Sequence, residues 1–212
     1  MLRCGVMRKV TRGKKSSPLR GRPRAFDTEK ALEAALRVFW EKGYEGTSLT
    51  DLTAAMRINR PSLYAAFGDK EALFRKVLDR YTGKMAAYVD EALAEPSARR
   101  AIERLLEGAA DTVTNPRNPH GCLLVQGALA CGKKTEGIRQ ELVSRRAAGE
   151  GIVRKRLLRA QKEGDLPPEA DPTSLARYYV TILRGMGVDA ASGASRKDLQ
   201  NVIELSIKAW PE

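Results

Sequence analysis

The sequence predicts an all-α protein in which a group of short helices precedes a larger helical region. Apolar residues recur at helical spacing from Ala31 onward, and capping residues and helix breakers separate the periodic segments. No segment has the alternating apolar pattern of a β-strand, and no repeat at a solenoid period is present. We expect three units: a disordered arm over 1–24, a first helical domain over 25–81 and a second over 82–212.

The positive charge is concentrated before the first helix. The 212 residues carry a formal net charge of +12, and residues 1–25 hold nine basic residues and no acidic one. The remainder has 29 basic and 26 acidic residues, or +3. Such an arm is typical of segments that bind a polyanion, although a solubilising tail has the same composition. The arm ends in "RGRPR", whose Arg22 and Arg24 can lie in the minor groove of A·T-rich DNA.

Composition argues against several other classes of protein. No apolar run approaches the ~20 residues of a bilayer span. Three cysteines without framework spacing favour a reducing, cytoplasmic compartment, and a single histidine makes a zinc site improbable. We find no phosphate-binding loop, dinucleotide fingerprint or nucleophile elbow, so we expect no enzyme and no cofactor. The arm has no aromatic-rich face for a membrane surface.

The first two helices have clear start and stop signals. Asp27 is the predicted N-cap of the first helix, and Gly43 is its predicted end. Ser48 and Asp51 have the spacing of a capping box for the second helix. The stripes that would face the core comprise Ala31, Leu32, Ala35, Leu36 and Phe39 in the first helix, and Leu49, Leu52 and Met56 in the second.

A third, very short helix follows almost without a loop. Asn59 is its predicted N-cap, and Pro61 costs little in the first turn because those amides have no intrahelical partner. Leu63 and Phe67 would face inward, and Gly68 would end the helix. Asp69 would then cap a long fourth helix.

These segments make a helix-turn-helix whose third helix has an outward face. Arg60, Pro61, Ser62 and Tyr64 would point outward, next to the small side chain of Ala65. A slender helix end can enter the major groove, which is about 12 Å wide. There Arg60 can bind a guanine edge or a phosphate, and Tyr64 can reach the backbone. Lys70, at the start of the next helix, can hold a phosphate.

The stretches "GRPR", "ALRVFWEKGYEGTSLTDLTAAM" and "INRPSLYAAFGDKEALF" resemble the DNA-binding domain of the tetracycline-repressor (TetR) family of bacterial transcription regulators. The resemblance implies that Thr47 and Ser48 approach phosphate, that Asn59 to Tyr64 form the reading helix, and that Lys70 contacts the DNA backbone.

Arg57 departs from the family pattern, which usually has glycine in this turn. A non-glycine residue in the left-handed region costs on the order of 1 kcal/mol. We therefore expect either a less stable turn or an arginine that contacts the DNA backbone.

The second region shows five further helical segments, predicted near 98–114, 120–131, 136–163, 172–190 and 196–209. Their predicted N-caps are Ser97, Thr135, Asp171 and Ser195. Gly149 and Gly151 could mark a bend in the longest segment.

The resemblance also implies a homodimer that pairs through its last two helices. An apolar stripe in 172–190 and two apolar flanks in 196–209 permit this pairing, although a fully buried core helix has the same pattern. The predicted interface residues are Leu175, Tyr179, Ile182, Met186, Leu199, Val202, Ile203 and Ser206.

A cavity for a small-molecule effector is expected between helices of the second region. The candidate lining residues are Tyr88, His120, Cys122, Gln126, Tyr178, Arg184 and Met186. His120 can equally be a cap, and Cys122 can equally be core packing. A thiol at a helix N-terminus can also have a lowered pKa, which keeps a thiol-reactive sensor open as an alternative.

The sequence thus predicts a bacterial, cytoplasmic and nucleoid-associated homodimeric repressor that reads palindromic double-stranded DNA and responds to an unknown small molecule. The alternatives are a redox or electrophile sensor of the same fold that uses Cys122, and a weakly specific DNA-coating protein with steep salt dependence.

Overall fold

The computed structural model describes residues 26–129 and 135–211, apart from the side chains of residues 128 and 129. The described residues form nine α-helices and no strand, so the predicted all-α class is confirmed. The helices are α1 (Thr28–Gly46), α2 (Leu49–Met56), α3 (Arg60–Phe67), α4 (Lys70–Leu93), α5 (Ala98–Val113), α6 (Leu123–Leu129), α7 (Glu136–Glu163), α8 (Pro172–Ala191) and α9 (Arg196–Ile207). None of the described helices combines the length and apolar character of a membrane span.

Local capping chemistry sets most helix starts. Side chains of Asp27, Ser48, Asn59 and Asp69 accept hydrogen bonds from first-turn amides of α1 to α4, as predicted. In the second region Ser97, Asp171 and Ser195 do the same for α5, α8 and α9. Each bond satisfies an amide that has no intrahelical partner, which fixes where the helix begins.

Two local predictions need correction. Thr135 precedes α7, but its side chain makes no capping hydrogen bond, because its backbone (φ −119°, ψ 28°) is outside the extended region of a typical N-cap. Its hydroxyl donates to Glu45 of α1 at 2.6 Å. The segment predicted from residue 120 begins as a helix only at Leu123. Helix α7 runs without interruption through Gly149 and Gly151.

Gly43 interrupts α1 as predicted, although the helix does not end there. Its backbone has φ 68° and ψ 178°, and helical geometry then resumes through Gly46. Because this conformation favours glycine, the last turn of α1 is redirected toward α2.

Two apolar cores lie along the molecule. The first core joins α1 to α4 and also contains Leu123, Ile138 and Leu142 from the second region. The second core joins α4, α5, α7, α8 and α9. Helix α4 contributes to both cores and runs through residues 81 and 82, where we expected the domain boundary. The division into 25–81 and 82–212 therefore remains a prediction, and the 1–24 arm lies outside the described residues.

Arg57 has left-handed backbone geometry, φ 55° and ψ 40°, and is the only non-glycine residue at positive φ among those described. Its amide donates to Thr53 and Ala54 carbonyls, which ends α2. The turn therefore has the left-handed geometry that favours glycine, and its lower stability stays a prediction.

We predict that Arg57→Gly raises the free energy of unfolding by about 0.5–1 kcal/mol, because glycine removes the left-handed penalty. Urea unfolding of the full chain at fixed protein concentration measures this. Lys76→Gly, an exposed position inside α4, is the control and should lower stability by about 1 kcal/mol. A lower urea midpoint for Arg57→Gly would show that the arginine stabilises the turn.

Candidate nucleic-acid interface

The start of α2 is held by a dense set of hydrogen bonds. Ser48 Oγ accepts from the Asp51 amide at 3.0 Å, and the Asp51 carboxylate accepts from the Ser48 amide at 2.9 Å. Lys42 Nζ lies 2.6 Å from the same carboxylate. The hydrogen bond from Lys42, followed by those from Ser48, holds the pKa of Asp51 well below its usual range. The Asp51 carboxylate is therefore ionised near neutral pH, and its oxygens accept hydrogen bonds from Lys42 and Ser48.

Thr47 and Ser48 differ in their access to solvent. Thr47 is 1% exposed, and its hydroxyl donates to the Gly43 carbonyl at 2.6 Å. Its side chain is therefore unable to approach a phosphate in this conformation, contrary to what the resemblance implies. Ser48 is exposed at the N-terminus of α2, where an anion can approach its amide.

Helix α3 presents its leading end to solvent. Asn59 Oδ1 accepts from the Ser62 amide at 2.9 Å, so this side chain serves as a cap. Leu63 and Phe67 are buried against the first core, as predicted. The opposite face exposes Arg60, Pro61, Tyr64, Ala65 and Ala66, with Ser62 half-buried. Tyr64 is 48% exposed, which is unusual for a large aromatic side chain.

Three predicted cations surround this face. Arg57 is exposed in the turn before α3. Arg60 Nη2 donates to Thr50 Oγ1 of α2 at 3.1 Å. Lys70 Nζ lies 4.4 Å from the centroid of the Tyr44 ring, and burial lowers the pKa of this lysine. Arg22 and Arg24 lie outside the described residues.

Ion pairs lock α1 onto α4 behind the exposed face. Arg80 binds Glu29 and Glu33, and Lys84 Nζ binds Glu33 at 2.6 Å. Burial acts to raise the pKa of Glu33, but its hydrogen bonds from Lys84 and Arg80 outweigh burial and lower it. These contacts help to orient α1 on α4; α2 packs on α1, and α3 packs on α2 and α4.

The head, which we define as α1 to α3, is bound directly to the second region. Trp40 Nε1 donates to the Gly121 carbonyl at 3.0 Å in a buried bond. Arg37 Nη1 donates to the Arg117 carbonyl at 2.8 Å. Gly121 has φ 90°, and a Cβ there would come within 2.9 Å of the Gly187 carbonyl and the Ala191 side chain. The turn before α6, which accepts the hydrogen bond from Trp40 of the head, therefore packs closely against α8 at Gly121.

The predicted effector residues differ in their exposure to solvent. Tyr88 and Cys122 lie inside, where the Tyr81 hydroxyl donates to Cys122 Sγ at 3.4 Å and burial raises the pKa of Tyr88 to about 12. Met186 belongs to the second core. In contrast, His120 is exposed, and Tyr178 is 42% exposed on the outer face of α8.

Two polar candidates, Gln126 and Arg184, make contacts within the second region. Gln126 is half-buried, and its amide nitrogen approaches Gly121. Arg184 donates to the Arg146 carbonyl at 3.2 Å and pairs with Glu150 at 3.4 Å, so its charge is directed along α7.

A cavity of about 250 Å³ lies at the junction of the head with α4 and α5. The residues that line it are Trp40, Tyr81, Lys84, Met85, Asp111, Thr112, Asn115 and Asn118. The Trp40 and Tyr81 rings meet edge to face at 4.8 Å. No sequence signal identified this site, because its walls come from three separate segments of chain.

The predicted dimer stripe is mostly core of the same chain. Tyr179, Met186, Leu199, Ile203 and Ser206 are each at most 4% exposed, and Leu175 and Ile182 are half-buried against the second core. Val202 is exposed, as required for an interface. The outer faces of α8 and α9 instead expose Tyr178, Val188, Val202 and Leu205. Helical periodicity identified an apolar face but not whether that face packs within the chain.

Comparison with known proteins bears directly on this architecture. The family model described as bacterial regulatory proteins, tetR family, matches residues 31–77. The model described as tetracyclin repressor-like, C-terminal domain, matches residues 98–205. The second match alone spans half of the chain.

The chain belongs to the TetR family. It is 37% identical over 195 residues to the HTH-type transcriptional repressor ComR of Escherichia coli K12, covering 91% of this chain and 93% of ComR. It is also 31% identical over 189 residues to the regulator YezE of Bacillus subtilis, covering 88% and 97% of the two chains.

A solved TetR-family structure shares the fold closely. The regulator CifR, a cysteine mutant in complex with 26-base-pair double-stranded operator DNA, superposes with a TM-score of 0.87 and is 42% identical. The match covers 90% of this chain and all of CifR. These relatives are transcriptional regulators rather than enzymes, and they favour neither the thiol-sensor nor the DNA-coating alternative.

We predict that Gly121→Ala lowers the free energy of unfolding by about 2–4 kcal/mol, since the new methyl meets backbone at positive φ. Urea unfolding at fixed concentration measures the loss. Gly193→Ala is the matched control, because Gly193 has φ 102° with open space around it and pays only the backbone penalty. Equal losses for the two variants would contradict a packed contact at Gly121.

Proposed function

We propose that this TetR-family regulator is a homodimeric repressor that reads a palindromic operator with the leading end of α3 and is released by a small molecule. The observation that carries the proposal is the exposed end of a capped helix, next to Arg57 and Arg60, which form no ion pair among the described residues. A helix N-terminus flanked by free cations suits a groove lined with phosphates. The base-reading candidates are Arg60, Pro61, Ser62 and Tyr64.

The contacts of the head divide into two kinds. Ser48, Arg57 and Lys70 surround α3 and would bind phosphates, which fixes register without reading sequence. The arm residues Arg22 and Arg24 would add minor-groove contacts by virtue of their sequence. This assignment is supported by CifR, a related TetR-family regulator of the same fold that was solved in complex with operator DNA.

Dimerisation would use the exposed faces of α8 and α9. Tyr178 and Val188 lie on α8, and Val202 and Leu205 lie on α9, with Leu205 at 66% exposure. Gly185 is exposed between them with open space around it, which allows close helix approach. A two-fold dimer on this face would place two α3 helices about 34–36 Å apart, or a multiple of that distance.

Effector binding would act through the junction cavity and its surroundings. Trp40 of α1, Tyr81 of α4 and Thr112 of α5 line the cavity, so a bound molecule would contact both the head and the second region. A coupling of about 1–3 kcal/mol would change operator affinity by roughly 5- to 150-fold. We place the protein in the bacterial cytoplasm, associated with the nucleoid.

Selection of bound sequences from a random duplex pool tests the DNA-binding proposal. We expect the full-length protein to enrich a palindrome, because a two-fold dimer presents two identical reading heads. Tyr64→Ala should lose the enrichment while the protein remains a dimer. Enrichment of no sequence at moderate salt would contradict the proposal.

Leu205→Glu tests the dimer face. A carboxylate buried without a partner should weaken dimerisation at least about tenfold, measured by sedimentation over a range of concentrations. Val143→Glu is the matched control, since Val143 is 40% exposed on α7 and receives the same charge. Equal dimer affinity for Leu205→Glu and wild type would place the interface elsewhere.

A further inference from the structure

One hydrogen bond joins the two helices of the helix-turn-helix at their exposed ends. Arg60, the first residue of α3, donates from Nη2 to Oγ1 of Thr50 in the first turn of α2 at 3.1 Å. Both side chains are exposed. The bond contributes little to folding in that setting. Its effect is to restrict where the guanidinium points.

The charge of Arg60 remains available for a ligand. No carboxylate forms an ion pair with it among the described residues. The acidic residue next to Thr50 is Asp51, whose oxygens already bind Lys42 and the Ser48 cap. Thr50 therefore holds the arginine through a neutral hydroxyl and leaves its charge intact.

The guanidinium also retains enough donors for paired recognition. Arginine has five N–H groups, and the bond to Thr50 engages one of them. The remaining donors include a pair with the fork geometry that matches the N7 and O6 acceptors of guanine in the major groove. Because α3 N-terminal residues contact base edges in helix-turn-helix proteins, the tethered fork lies at the correct end of the helix.

We propose that Thr50 is a positioning residue that presents Arg60 to a guanine in each operator half-site. The proposal rests on the function proposed above and specifies one base pair of the site. The hydroxyl orders the arginine before DNA binds, so less rotamer entropy is lost in the complex. Thr50 thereby contributes to sequence preference through Arg60, and Ser62 and Tyr64 read the neighbouring bases.

The test uses the duplex selected by the wild-type protein and the same duplex with each base pair changed in turn. Arg60→Ala should lose about 5- to 150-fold on the selected duplex and should no longer discriminate at one G·C pair in each half-site. Its affinity for an unrelated duplex should change much less. A uniform loss on every duplex, with a salt slope reduced by about one, would identify a phosphate contact and overturn the proposal.

Thr50 is tested with its own pair of variants. Thr50→Val should weaken binding to the selected duplex about 2- to 10-fold, and Thr50→Ser, which keeps the hydroxyl, should restore it. In an Arg60→Ala background, Thr50→Val should have no further effect. Thr53→Val is the matched control, because the hydrogen bonds that the Thr53 hydroxyl donates in the described structure go to carbonyls of its own helix.

The two proposals fail in different ways. A wild-type protein that selects no sequence contradicts the proposed function. A wild-type protein that selects an operator, with Thr50→Val binding as well as wild type or Thr50→Ser as poorly as Thr50→Val, overturns only the positioning role. Circular dichroism melting of each variant confirms that the head is folded.

Discussion

The apolar core that the head shares with the second region is the constraint on which the remaining structure depends. Leu123, Ile138 and Leu142 pack among side chains of α1 and α4, and the buried bond from Trp40 to the Gly121 carbonyl fixes the same contact in direction. Apolar burial supplies most of the free energy that holds the head on the second region, and the geometry of the hydrogen bond limits the angle between them. Together they set one orientation of the head. The position of α3 relative to a dimer face on α8 and α9 follows from that orientation.

Cations on and around the head fall into two groups, those paired with carboxylates and those without an ion pair among the described residues. Carboxylates within the protein hold Lys42 of the head and also Arg80 and Lys84 of the adjoining α4. Arg57 and Arg60, on either side of the α3 cap, form no ion pair among the described residues. A helix that is rigidly capped and flanked by free cations is organised for DNA before contact, which lowers the ordering cost of binding.

Local features of the fold could be predicted from sequence, whereas features that depend on packing between segments could not. The caps at Asp27, Ser48 and Asn59 depend on neighbouring residues alone. Thr135 does not cap α7 because its backbone is outside the extended region, and its hydroxyl instead contacts the distant Glu45 of α1. The residues of α8 and α9 that pack in the second core cannot be told from interface residues by sequence, since both environments favour the same apolar period. The junction cavity depends entirely on tertiary contacts.

A crystal structure of the homodimer on its selected operator tests the central claim most directly, namely that the shared core holds the leading end of α3 for entry into a duplex. The account predicts α3 in the major groove, with Tyr64 near base edges and with the bond from Trp40 to Gly121 retained. A complex in which the leading end of α3 packs against protein, away from every nucleotide, would contradict it.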